Sequence, residues 1–377
     1  MKKQYLVLLA FLIASVACQH PQKKAPLPYW LQDAFSLDSL QPEKVPARFK
    51  DGYMLLSQRD EPGVLYLLNA QGGVVWYHQV TGTGFKTAHF TTHQTLLCIL
   101  GDKSYATSYG NQIMELSLTG DTLLNLQKGQ ADFIANAHHE VLLNPDNNIV
   151  LLNTVERVID LTAQGGSAGD TVRSDGILVL DRKGHKLWEW TVFDALNPAA
   201  DKDILSSRMD WMHANSLSYD KDGNYLISFY NNGQIWKVDA HSGKVIWKFG
   251  RNGDFSFPDS AAFDMGHAVH INAENDLMLF DNGVSHQQSQ TLAFHLDEGA
   301  KIATVTLRTP IPAYLFNDRM GSAYLVDHQT ILQCCSRKNT VLLTDRQGTP
   351  LWRLRCNFIP YRAEFIPREQ LPSFIVN

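Results

Sequence analysis

Gly233 to Gly250 reads GQIWKVDAHSGKVIWKFG. A short alternating run leads up to Asp239, a turn ends in Gly243, and a second apolar run carries Trp247. Alternation over a few residues, a break containing Asp and Gly, and renewed alternation are the signal of a β-hairpin. The unit recurs as GVLYLLNAQGGVVWYHQV from Gly63, GILVLDRKGHKLWEWTVF from Gly176 and TVLLTDRQGTPLWRLRC from Thr340, so tryptophan closes the motif as VVW, KLW, VIW and PLW. Irregular return of one hairpin type predicts an all-β chain of radially arranged four-stranded blades, a β-propeller, whose small sheets cover one another's faces. At about 40–45 residues per blade the length suits six blades, with five or seven as neighbouring solutions. A β-sandwich is the structural competitor, but it accounts less naturally for the tryptophan-bearing repeat. The best helical window, Asp194 to Ser207, is short.

The rest of the chain sets the boundaries. Lys2 and Lys3 precede an apolar run from Tyr5 to Val16, and Ala17-Cys18 follows, the layout of a bacterial export signal. It resembles a lipoprotein signal in which Cys18 becomes the lipidated first residue. Gln19 after it favours the outer membrane by the same resemblance; an ordinary cleaved signal is the alternative. The predicted organisation is therefore a signal peptide over 1–17, a tether and irregular lead-in over 18–49, and a single propeller domain with C-terminal closure over 50–377. With 33 basic and 38 acidic residues and a formal net charge of -5, the chain has no basic tract for nucleic acid. Cys98, Cys334, Cys335 and Cys356 form no CxxC pair of the structural-zinc kind. A disulfide from Cys356 to Cys334 or Cys335 and four packed thiols are both open readings.

A second repeat carries chemistry. HEVLLNPDNNIVLLN from His139, HANSLSYDKDGNYLISFYNNG from His213 and HAVHINAENDLMLFDNG from His267 each place a histidine at a strand start before a turn and a second strand. Matched positions in different blades converge at the mouth of a propeller's central channel, so His139, His213 and His267 are expected together there. Strict alternation puts His267 and His270 on opposite strand faces, which makes His270 a bystander and a poor co-ligand. Three convergent histidines suit two chemistries. They can bind zinc, as in a metal-dependent hydrolase or lyase, with Glu140 and Asp281 behind the ligands. Alternatively one neutral imidazole attacks an electrophile while the others donate to anionic oxygens and move a proton.

The run RMDWMHANSLSYDKDGNYLISFYNNGQIWKVDAHSGKVIWKFG, the later GHAVHINAENDLMLFDNG, the HHE block and YRAEFIP near the C-terminus resemble the bacterial arylsulfate sulfotransferase family. That resemblance implies a six-bladed propeller that moves a sulfuryl group from a phenolic sulfate donor to a phenolic acceptor through a sulfohistidine, with no metal and no cofactor. By motif, His267 matches the nucleophile, His213 the sulfate-contacting histidine of DW-x-H, and His139 the upstream histidine, with His138 in reserve. Arg362 of YRAEF matches an arginine near the closure. Asn215 and Asn282 are candidates to orient site groups, and Trp211 and Tyr230 to wall in a phenolic ring. The family usually has an arginine just after the serine of the strand following DW-x-H. Here Tyr230 and Asn231 occupy that neighbourhood, and Arg208, Arg251, Arg319 and Arg362 are candidates to replace the missing cation. The rival to an enzyme is a surface-tethered propeller that holds a glycan, peptide or partner without turnover. The oligomeric state is not legible.

Overall fold

The computed structural model describes residues 28–105 and 108–376, and the predicted signal and Cys18 lie outside them. Six antiparallel sheets form the blades of a propeller. The first combines Pro360–Ile366 as its inner strand with Tyr53–Gln58, Gly63–Asn69 and Val74–Val80. The second runs outward through Gly84–Phe90, Thr95–Gly101, Gln112–Ser117 and Thr122–Gln127. In the third, the short Tyr109–Gly110 lies inside Ala137–Leu143, followed by Ile149–Ile159, Asp170–Leu180 and Lys186–Thr191. The fourth begins at Ala214–Tyr219, the fifth at Gly266–Ile271 and the sixth at Ser322–Leu325.

Closure comes from both ends of the chain. The C-terminal strand Pro360–Ile366 supplies the innermost position of the first blade, and Phe35–Ser39 adds to the outside of the sixth. Asp38 accepts from both Arg353 and Arg355 and fixes that added strand. The segment expected to be an irregular lead-in therefore contributes a paired strand, because its alternation finds the unpaired edge of Pro350–Cys356.

The repeat that predicted the fold has a local cause. Asp239, Asp181, Asp345 and Asn69 each accept backbone N–H groups of the turn that follows, for example Ser242 N at 2.6 Å and Thr349 N at 2.8 Å. The glycines at the turn ends, among them Gly243 (φ 71°) and Gly348 (φ 87°), supply the left-handed residue that such turns require. The tryptophans then join blades. Trp76 donates Nε1–H to Leu118 O, Trp188 to His241 O and Trp352 to Ala70 O, each in the corresponding turn of the next blade. These three rings thus find their polar partner in the same motif repeated next door, whereas Trp247 is buried with no partner for its Nε1. Cys98, Cys334, Cys335 and Cys356 are all free and buried, which selects packed thiols over the disulfide alternative.

Candidate active site

The innermost strands break their ladders where the channel opens. In the third blade His138 pairs with Leu152 and Val141 with Leu151, which leaves His139 and Glu140 as extra residues. Corresponding breaks fall at Lys86 in the second blade, Asn215 in the fourth, Ala268–Val269 in the fifth and Tyr361–Arg362 in the first, whereas the pairing of Ser322–Leu325 is unbroken. Such bulges re-aim side chains. They also place His139 (φ 56°) and Ala268 (φ 51°) in left-handed backbone, as is His213 (φ 56°) just before its strand.

The bulges correct two expectations about position. His267 and His270 pair with Phe280 and Met278, two residues apart, so both lie on one face rather than on opposite faces. The extra residue cancels one alternation. The three histidines are also not in matched places. His139 and His267 stand five residues ahead of the turn residues Asn144 and Asn272, but His213 stands seven ahead of Asp220, and Asn215 holds the equivalent position.

His139, His213 and His267 nevertheless meet. They line a cavity of about 370 Å³ together with Tyr109, Asp210, Tyr230 and the segment Asp318–Met320. The His139 and His213 rings are 5.1 Å apart, and Tyr230 stands between His213 and His267, with centroids at 5.3 and 5.6 Å. Among the described residues no three His, Cys, Asp or Glu side chains are arranged to hold a metal ion.

Each histidine has a distinct environment. Asn282 donates its side-chain N–H groups to Asn317 O at 2.7 Å and Met320 O at 2.9 Å, so its carbonyl oxygen is the atom facing His267 Nδ1 at 2.6 Å. His267 must therefore carry its proton on Nδ1, and its Nε2 is left as a free lone pair. Burial lowers the His267 pKa to about 3, despite the opposing bond to Asn282. His139 is likewise held neutral, first by burial and then by His138, whose Nδ1 lies 2.9 Å from its own. His213 differs: burial pushes its pKa down, but Asp210, which accepts from its Nδ1 at 2.8 Å, outweighs burial and raises it.

The remaining predicted residues fall outside the cavity wall. His138 is buried behind His139, where burial lowers its pKa to about 3. Asn215 is buried and donates to Gly266 O, tying the fourth blade to the fifth. Trp211 packs against Phe193 and donates to Asp201, so it is a packing residue and not an aromatic wall. Arg362 is buried beneath the cavity, where it bonds Glu140 and Asn215 O and contacts no cavity space. Its placement below the site follows from the bulge at Tyr361–Arg362, which turns it across the channel. Of the substrate-contact candidates, Tyr230 does face the cavity, its hydroxyl donating to Asp318 O at 3.2 Å.

Several residues escaped the sequence reading. His89 joins the buried layer, paired with both Glu140 and Glu364. Tyr109 comes from a two-residue strand with no periodic signal. Asp210 was visible in the quoted DW-x-H block, three residues before His213, and that spacing was its available signal.

The family model for arylsulfotransferases (ASST) matches residues 39–303. The chain belongs to the arylsulfotransferase family. The match covers the second, third and fourth blades whole, most of the fifth and the three outer strands of the first, and it contains all three cavity histidines. No curated protein matches the sequence. A solved protein of unknown function from Bacteroides caccae, 12% identical, has a TM-score of 0.51 over 84% of this chain and 99% of that one, and shows the same fold. A putative 6-phosphogluconolactonase from Bacteroides fragilis is 11% identical over 85% of this chain and 100% of its own, with a TM-score of 0.43. Virginiamycin B lyase from Staphylococcus aureus is 9% identical over 85% and 99%, with a TM-score of 0.40. In this arylsulfotransferase the FDNG block has two uses. Asp281 accepts from Gly283 N and Asp264 N and shapes the turn, while Asn282 orients His267. Gly283 (φ 58°) is required there, since an added Cβ would strike Gln288 O.

Proposed function

We propose that this arylsulfotransferase moves a sulfuryl group from a phenolic sulfate ester to a phenol by way of a sulfohistidine at His267. The tautomer of His267 carries the reading, since Asn282 leaves Nε2 unprotonated and the ring faces the cavity. Nε2 attacks sulfur, the S–O bond to the donor breaks, and the departing phenolate takes a proton from His213. The acceptor phenol then returns its proton to His213 as its oxygen attacks sulfur and the N–S bond breaks. His139 donates from the imidazole edge turned away from His138 to a sulfuryl oxygen. Tyr109, Tyr230 and Met320 offer the ring a largely apolar wall in a space suited to one aromatic group.

The transfer assay uses 4-nitrophenyl sulfate with and without phenol. Acceptor-dependent release of 4-nitrophenol supports the reading, and absence of turnover across a panel of aryl sulfates and phenols overturns it in favour of a binding propeller.

The two pKa shifts give this mechanism a pH signature. His267 stays neutral at any pH well above about 3, so it imposes no acid limb near neutrality. His213 is protonated below its raised pKa, and transfer is expected to decline as pH rises through that value. His213→Asn should remove the alkaline limb. It should also slow phenyl sulfate by about 10²–10⁴-fold, the range of general acid catalysis, and slow 4-nitrophenyl sulfate less, because the more acidic phenol departs without help. Equal loss on both esters would exclude His213 as the acid.

We further propose export and lipid anchoring at Cys18, on the outer membrane. Labelled palmitate should enter the full chain and not Cys18→Ser, and the substituted protein should appear in the soluble fraction.

A further inference from the structure

The cavity described above lacks an obvious partner for an anion. His139 and His267 are held neutral, and any charge on His213 is opposed by Asp210. Asp318 adds a second carboxylate to the wall. Desolvating a sulfate ester among these groups requires a cation with donors to spare. Arg319 is the basic residue, neither histidine nor buried, that lines this cavity among the described residues.

The structure around Arg319 separates a fixed backbone from a movable side chain. Asn317 donates to Arg319 O at 2.7 Å and Met320 O at 2.9 Å, and Asn282 donates to Asn317 O and Met320 O. Tyr230 holds the intervening residue through Asp318 O. The amide that sets the His267 tautomer thus also anchors the loop carrying Arg319. By contrast, the Arg319 side chain is 59% exposed, with Nε and Nη2 both 3.1 Å from Asp318 Oδ2. Arg337 Nε lies 3.4 Å from Asp318 Oδ1, so Arg319 can depart without leaving that carboxylate unpaired.

We propose that Arg319 is the sulfate-binding cation of this site, turning from Asp318 to place its planar fork on the sulfuryl oxygens. The loop between the fifth and sixth blades then supplies the charge that the fourth blade lacks at Tyr230, and the Tyr230 hydroxyl positions that loop. This inference rests on the sulfuryl-transfer reading for its substrate class, but its test does not require turnover.

Binding of 4-nitrophenyl sulfate to His267→Ala protein is measured by calorimetry, with and without Arg319→Ala. The arginine substitution is expected to weaken the ester by about 10- to 100-fold, the range for hydrogen bonds to a charged group, and to leave 4-nitrophenol binding unchanged. With His267 intact, Arg319→Ala should lower kcat/KM by at least that factor, and Arg319→Lys should recover part of it. Ester affinity that is unchanged in Arg319→Ala overturns the proposal, as does an equal loss for ester and phenol. Loss of ester affinity in a protein with no transfer activity keeps Arg319 as the anion site and removes only the transferase reading.

Discussion

His267→Ala is expected to lose phenol-dependent transfer by about 10⁴-fold or more, the scale on which removal of a covalent nucleophile acts. Intact-mass measurement after brief cold incubation with 4-nitrophenyl sulfate should show one added sulfuryl group on the wild-type protein and none on the variant. The size of the effect follows from geometry. Tyr109 and Tyr230 offer only protonated phenol hydroxyls, which are weak nucleophiles, and His139 has its Nδ1 engaged with His138, whereas Asn282 leaves the lone pair of His267 Nε2 free. Asn282→Ala tests that cause directly. It frees the ring to adopt either tautomer and releases the 317–320 loop, so transfer should fall while the adduct, once formed, still maps to His267. Wild-type turnover with no adduct, or an adduct that persists in His267→Ala, would end the assignment.

The second large effect concerns folding. Glu140 lies between Arg362 and His89, with the Arg362 and Glu140 side chains only 6% and 2% exposed. This layer draws the first, second and third blades together under the cavity, and Arg362 also reaches the fourth through Asn215 O. Arg362→Met strands a buried carboxylate and is expected to cost about 3–5 kcal/mol in denaturant unfolding. The double variant Arg362→Met/Glu140→Gln should lose less than the sum of the single losses, since no bare charge remains. An arginine acting on substrate would behave differently, lowering kcat/KM with little change in stability.

The same layer sets a pH dependence with two opposite limbs. Burial alone would raise the Glu140 pKa, but Arg362 and His89 hold it below its ordinary value of 4.5. Its contribution is present above that value and is lost as pH falls through the lowered pKa. His89 is pushed down by burial and more strongly up by Glu140 and Glu364, to about 9 from 6.5. Its contribution is complete below 6.5 and disappears as pH rises to about 9. Wild-type stability should therefore decline across that alkaline interval, and Glu140→Gln should flatten the decline. A wild-type profile that is level from 6.5 to 9 would show that His89 gains no proton affinity on folding.

Local chemistry explains what could be read in advance. The Asp or Asn that opens each outer turn, the glycine that ends it and the tryptophan beyond act within a few residues, so their recurrence announced the blades. Strand starts are similarly local, which is why His139, His213 and His267 were recognisable as a set and the DW-x-H and FDNG blocks pointed to the family. The errors of detail arose where that locality ended. A bulge is one unpaired residue against a neighbouring strand, and nothing in HAVHINAEND distinguishes a bulged His267–His270 segment from a regular one.

The sequence by itself determined the blade type, the histidines and the absence of an arginine at Tyr230, because each depends on residue identity and short-range pattern. Only the tertiary structure decided that Asn282 sets the His267 tautomer, that Arg362 lies beneath the cavity and that Arg319 lies at its wall. Those placements depend on closing a ring whose first sheet is completed by its last strand. Residues hundreds of positions apart then share one buried dielectric, and their charges and protons are fixed by neighbours that no local pattern names.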